Sequence, residues 1–336
     1  MKKYLFITIS AALALTACTN ETTEYVGDTQ AREIAFAPLA QKATRAAVED
    51  ATFPDNQQMY VSAYSTTGTS NYFTGITFNG TSTDKWSGTT KQYWPFTVTT
   101  INFLAYTGLT AGTATWNATN PASAVTLAMG DNSTAQNDLM YACGTGSVTE
   151  GTSGNAFTFP DAVGMEFKHA QALVKFTVKA KDETSASKIE VTSITLNTVS
   201  CEGTFTVTHA NWNKSKAERD AADPTNSLNG SVSGVWSDYS SHAGNVPAIK
   251  PYSYSAISTT VQDYACLMIV PDQGMTSFTI NFTLDSTPYS YTYTTSTTTF
   301  NQAYKYVYNI SLALHEILIS PTVAGWENGT GADINI

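Results

Sequence analysis

The sequence predicts an all-β protein of two tandem β-sandwich domains behind a short N-terminal leader and tether. Three observations predict it. Charged residues make up only 13% of the 336 positions, whereas aromatics reach 12% and Thr is abundant, a composition suited to pleated, half-buried surfaces. Apolar and polar residues alternate with period two in segment after segment. Turn signals separate these segments, and helical periodicity is scarce.

The clearest alternation is ALVKFTVKAK (172–181), where Val174, Phe176 and Val178 face one way and Lys175, Thr177 and Lys179 the other. SFTINFTLD (277–285) turns Phe278, Ile280, Phe282 and Leu284 inward, and YKYVYNISLAL (304–314) lines up Tyr306, Tyr308, Ile310, Leu312 and Leu314. QQMYVSAYS (57–65) and FTVTTINFLAY (96–106) follow the same rule less cleanly. Turns are expected at 68–70, 78–81, 152–155 and Pro271-Asp272-Gln273-Gly274. The best helical pattern, NWNKSKAERDAADP (211–224), is too polar for a core helix. The strong strand after residue 168 sets the expected division: 1–17 signal peptide, 18–45 tether and propeptide strand, 46–168 first sandwich, 169–336 second sandwich with its tail.

The front end is an export signal. Lys2 and Lys3 precede an apolar run from Leu5 to Leu15, shorter than the ~20 residues that span a bilayer. Leu15-Thr16-Ala17-Cys18 resembles a bacterial lipobox, which implies diacylation of Cys18, cleavage before it and anchoring in the outer membrane. An ordinary signal peptide with a chance cysteine is the alternative. Polar residues 19–33 then read as a flexible tether.

Charge and cysteine usage exclude several classes. Beyond residue 45 the chain carries 12 basic against 23 acidic residues, a formal charge of −11, which disfavours nucleic acid as a partner. With Cys18 lipidated, Cys143, Cys201 and Cys266 form neither a disulfide framework nor a zinc pattern, and read as small buried residues. His169, His209, His242 and His315 stand outside any zinc-protease spacing, and there is no GxSxG, P-loop or dinucleotide fingerprint. Cys143-Gly144-Thr145-Gly146 lacks a paired base. Asp131-Asn132 and Asn137-Asp138 lack the rest of a calcium loop and read as turn residues. Most of the six tryptophans (Trp86, Trp94, Trp116, Trp212, Trp236, Trp326) read as packing, although some could stack on sugars. No catalytic residues, metal ligands or cofactor are expected, and the chain does not read as an enzyme.

Taken in order, several segments resemble the fimbrillins, the pilin precursors of Bacteroidales, and their Mfa-like relatives. They are the lipobox, REIAFAP (32–38), ATRA (43–46), Asp138-Leu139-Met140-Tyr141, MEFKHAQALVKFTV (165–178) with Phe167 and His169, CEGTFTV (201–207), and NQAYKYVYNISL before Trp326. Ala303 stands where the family usually has glycine. The resemblance implies transthyretin-like, Greek-key sandwiches, a fimbrial subunit (stalk, tip or accessory) and an arginine-specific protease that cuts after Arg45, leaving Ala46 as the new N-terminus. Arg32 is the rival site. Partners would be further copies or other pilus subunits, and a host or bacterial surface receptor that the sequence does not name.

A physical reason for the cut is legible. Ile34 and Phe36 alternate with small or polar neighbours, so 33–37 reads as a short strand, with Pro38 suited to an edge or strand end. If this strand plugs the first sandwich, cutting after Arg45 frees it and leaves an edge that a strand of a second copy can fill. The tail ENGTGADINI (327–336), with Ile334 and Ile336 on one face, is the expected donor. The competing expectation is a lipid-anchored surface protein that binds glycans or another ligand and never polymerises.

Overall fold

The computed structural model describes residues 31–40, 58–66, 70–80, 85–151, 157–208, 234–250, 257–314, 316–325 and 334–335. Up to residue 169 the strands are β1 (Ala35–Ala40), β2 (Gln58–Ser65), β3 (Ser70–Asn79), β4 (Trp86–Gly88), β5 (Thr99–Thr107), β6 (Ala114–Trp116), β7 (Ala124–Met129), β8 (Met140–Glu150), β9 (Phe157–Thr158) and β10 (Val163–His169). After it come β11 (Ala172–Ala180), the one-turn helix α1 (Glu183–Ala186), β12 (Ile189–Val199), β13 (Gly203–Thr208), β14 (Gly234–Ser237) and β15 (Gly244–Pro247). The last are β16 (Gln262–Ile269), β17 (Gly274–Leu284), β18 (Thr287–Thr299), β19 (Tyr304–Ala313), β20 (Glu316–Gly325) and β21 (Ile334–Asn335).

The chain is nearly all β. The largest sheet runs β10-β1-β4-β3-β2-β5-β8-β9, and β8 pairs back onto β10 through Tyr141↔Lys168 and Met140↔His169. Seven strands therefore close into a ring, the arrangement that removes free edges. Ile34, Phe36, Phe73, Phe78, Trp94 and Phe103 fill its interior. Glycines make room for them. A Cβ on Gly144 would lie 2.5 Å from Met165 Sδ, and one on Gly146 2.4 Å from the Trp94 ring.

Residues 165–178, expected as a run into the strand opening the second half, divide into β10 and β11, which belong to different sheets. β11 pairs parallel with β19 and antiparallel with β16 in the sheet β16-β11-β19-β20-β21. This sheet packs on β15-β12-β17-β18 around Phe176, Phe278 and Tyr308, whose rings lie 4.9 to 5.6 Å apart. β17 and β19 bury the residues expected to face inward, Phe278 and Ile280 in one, Tyr306, Tyr308, Ile310 and Leu312 in the other, as β11 does Val174, Phe176 and Val178. Thr177 differs: expected outward, it is buried and donates to Asn309 Oδ1 at 2.7 Å.

A fourth sheet, β14-β13-β7-β6, takes two strands from each side of residue 168, so the two halves share a sheet. The cause is local. Phe205 and Val207 of β13, Val125 and Leu127 of β7 and Trp236 of β14 cover Tyr60, Leu104, Tyr106 and Tyr141 on the outer face of the ring. Trp236 then donates its indole N–H to the Ala170 carbonyl at 2.6 Å, joining this sheet to the β10–β11 junction.

Candidate functional site: a buried N-terminal strand

The segment 32–40 is clasped on both sides. Phe36 to Ala40 pair in parallel with Val163 to Phe167 of β10, while Ala35 and Phe36 pair antiparallel with Ser87 and Trp86 of β4. Upstream, Trp94 N–H donates to the Arg32 carbonyl at 2.8 Å and Ile34 N–H to the Gln92 carbonyl at 2.7 Å. Lys91 reaches Glu33 at 2.9 Å, and Arg32 reaches Asp161 at 3.3 Å, with Lys85 on the same carboxylate. Lys85 and Arg32 hold the Asp161 carboxyl below its ordinary range.

The side chains explain the hold. Ile34 and Phe36 are wholly buried, and the Phe36 ring meets Phe78 and Phe103 edge-on at 4.8 and 5.1 Å. Burying two such side chains contributes roughly 3–6 kcal/mol. Every other residue from Ala35 to Pro38 is small and only half-buried. Pro38 lies past the β4 ladder, where β10 alone flanks β1, a position that tolerates a residue with no N–H. Without β1 the ring would present a slot with unpaired backbone on both sides and room for two apolar side chains two residues apart.

The position of Arg32 matters for any cut. Its carbonyl is in the ladder, and it precedes β1, so hydrolysis after Arg32 would leave the strand attached. Hydrolysis between Ala40 and Gln58 would free it. Arg45 and Ala46 fall in that interval but outside the described residues, as do Cys18, Ile336, Trp326, Trp212, His209, His315 and the 211–224 segment. Ile334 lies in β21, where it pairs with Val323 of the chain's own β20.

A second constellation lies at the base of the ring. His169 Nδ1 is 2.9 Å from Asp138 Oδ1, both buried, and Gln302 donates to the Tyr141 hydroxyl at 2.7 Å and to the His169 carbonyl at 3.2 Å. Gln171 Oε1 accepts from Leu139 N–H at 3.0 Å. The sequence flagged Asp138 and Tyr141 in one motif and His169 in another; that the two motifs meet, and that Gln171 and Gln302 join them, had no local signal. Asp131 and Asn132 do form turns, through Ser133 N–H to Asp131 Oδ1 at 2.9 Å and Asn137 N–H to Asn132 Oδ1 at 2.7 Å. Burial pushes the Cys143 thiol well above its ordinary value, Cys201 to about 12 and Cys266 to about 11, so none is a poised nucleophile. Trp86, Trp94 and Trp236 are buried and Trp116 half-buried, which makes them packing residues.

Fold and site together define an all-β protein that clasps its own N-terminal strand in a closed ring. The chain belongs to the fimbrillin-like family, whose model matches residues 44–326 and so begins just after β1. Its fold is shared with a candidate cell-adhesion protein of Bacteroides uniformis ATCC 8492, at TM-score 0.55 and 13% identity over 88% of this chain and 99% of that one. A candidate cell-adhesion protein of Bacteroides ovatus ATCC 8483 is similar at TM-score 0.54 and 11% identity, over 89% and 99% of the two chains. No curated protein matches the sequence. Family membership supports a pilus-type, cell-surface structural role.

Proposed function

We propose that this chain is a structural subunit of a surface fimbria, exported as a lipoprotein acylated on Cys18 and matured by an arginine-specific protease after Arg45. It then assembles by strand exchange into the slot that β1 occupies. In this reading the subunit contacts its neighbours head to tail, so repetition gives an open filament.

The observation that carries the reading is β1 itself. It is a buried stave of the ring, held by two large side chains and joined to the next strand only through 41–57. The tail supplies a matching pattern, since Ile334 and Ile336 repeat the two-residue spacing of Ile34 and Phe36. For the tail to serve as donor, the short β20–β21 pairing must open first.

The test uses the purified precursor and an arginine-specific protease. Cleavage should yield a chain starting at Ala46, release the β1 peptide and give SDS-resistant ladders. Arg45→Ala should block all three, while Arg32→Ala should block none. A chain cut at Arg45 that stays monomeric would instead support the lipid-anchored binding protein. That second reading has one observation of its own: Phe96, exposed, clusters with Phe157 and Phe159 at 6.4 and 5.9 Å on the surface of the first half.

A further inference from the structure

Among the described residues the sheet edges of this protein are protected, with one exception. β6, β9, β14, β15 and β21 have four residues or fewer. β16 carries Asp263 and is bridged on its outer side by Ile249. β20 begins with Glu316, carries Pro321 at its middle and is partly covered by β21. Short length, charge, proline and covering are the ordinary ways of blunting an edge.

β18 has none of these along most of its length. It is 13 residues long, the outermost strand of its sheet and, among the described residues, paired only with β17. Its sequence, TPYSYTYTTSTTT, contains no charge, and its single proline stands second. The β17–β18 turn is tight, with Asp285 and Ser286 at φ 48° and 67°, the geometry of a primed hairpin turn. Ion pairing of Asp285 with Lys188 at 3.1 Å ties that end to the neighbouring segment. The strand is thus held extended beside solvent. On its core-facing side Tyr289 stacks on Phe282 at 5.8 Å, yet Tyr289 and Tyr291 remain 48% and 39% exposed.

We infer that the free edge of β18 is a lateral contact that pairs antiparallel with β18 of a second copy about a two-fold axis. Charge selects this occupant. Two chains of formal charge −10 repel over most of their surfaces, but here a neutral edge meets a neutral edge. The strand is also compatible with itself. Antiparallel self-pairing sets Thr, Ser and Tyr against one another, combinations that favour cross-strand contact, and it covers the two exposed tyrosines. One pair of edges buries little beside the ~1,600 Å² of a standard interface, so the contact is weak alone and strengthens when many copies are arrayed along two filaments. It requires neither removal of β1 nor the C-terminal tail.

Sedimentation equilibrium and hydrogen exchange on the purified, uncleaved chain test this. The expected result is a concentration-dependent monomer–dimer equilibrium, with exchange in 287–299 slowed selectively at high concentration. Ser290 and Thr294 are exposed, so Ser290→Lys with Thr294→Lys should weaken dimerisation roughly tenfold or more while leaving the melting temperature unchanged. Arg45→Ala should dimerise as the unchanged chain does, which separates this contact from strand exchange. A chain that stays monomeric throughout would overturn the inference, as would a dimer indifferent to both lysines. A dimer lost on deleting 327–336 would overturn it too, by making the tail the partner.

Discussion

His169 Nδ1 lies 2.9 Å from Asp138 Oδ1, with the histidine side chain fully buried and the aspartate 5% exposed. Each belongs to a different strand-end segment, and the contact clamps the point where β8 and β10 close the ring. A carboxyl in such a place tolerates burial only with partners. His169→Ala would leave Asp138 without this one, at a cost of about 3 kcal/mol or more. Urea unfolding measures it, and a loss under 1 kcal/mol would mean that the pair is incidental.

How much of this was legible in the sequence depends on the range of the interaction. Alternation is local, so Ile34 and Phe36 could be read as one face of a strand, and Phe278 with Ile280 as another. The parallel partner of β1 could not be read, because Phe36 meets Val163 across more than a hundred residues with no turn signal between them. For the same reason Asp138 and His169 were visible as separate motif residues but not as a pair. The expected break at 168/169 missed the shared sheet because β13 and β7 alternate like any other strands, and nothing in either names its neighbour. Arg32, the weaker rival to Arg45 in the sequence, has its carbonyl in the ladder against Trp94 N–H, a contact no local pattern announces.

Ala303 tests a departure from the family pattern. It has φ 59°, in the left-handed region, is 6% exposed, and donates its N–H to the Gln171 carbonyl at 2.9 Å. A residue with a Cβ costs roughly 1–2 kcal/mol there, partly offset by the larger entropy that glycine loses on folding. Ala303→Gly should therefore stabilise the fold by about 0.5–1 kcal/mol. Thermal unfolding would show a rise in melting temperature, and a fall would mean that the Ala303 methyl group contributes packing that outweighs the strain.

Gly146 tests the ring interior. A methyl group there would sit 2.4 Å from the buried Trp94 ring and 3.1 Å from Val163. Neither neighbour has open space to move into, so Gly146→Ala should destabilise the protein by about 1–3 kcal/mol, the usual cost of overpacking. Because Trp94 N–H also holds the Arg32 carbonyl, hydrogen exchange of segment 32–36 should accelerate in this variant beyond what the global loss of stability explains. Equal acceleration in β19 would show that the strain spreads instead of staying beside β1.

Phe36 separates the two forces that hold β1. The backbone ladder to β10 and β4 survives truncation of the ring, whereas the edge-on contacts with Phe78 and Phe103 do not. Phe36→Ala removes a fully buried aromatic and should cost about 3–5 kcal/mol, less if Phe78 and Phe103 close over the space. Most of that loss should be local, because only the covalent link through 41–57 and the ladder then keep β1 in place. Amides of 35–40 should exchange faster than those of β5 and β8, and a cut precursor should release its N-terminal peptide sooner than the unchanged chain does. Should β1 stay protected while the whole protein loses stability, the ladder would be the main restraint, and departure of the strand would require the ring itself to open.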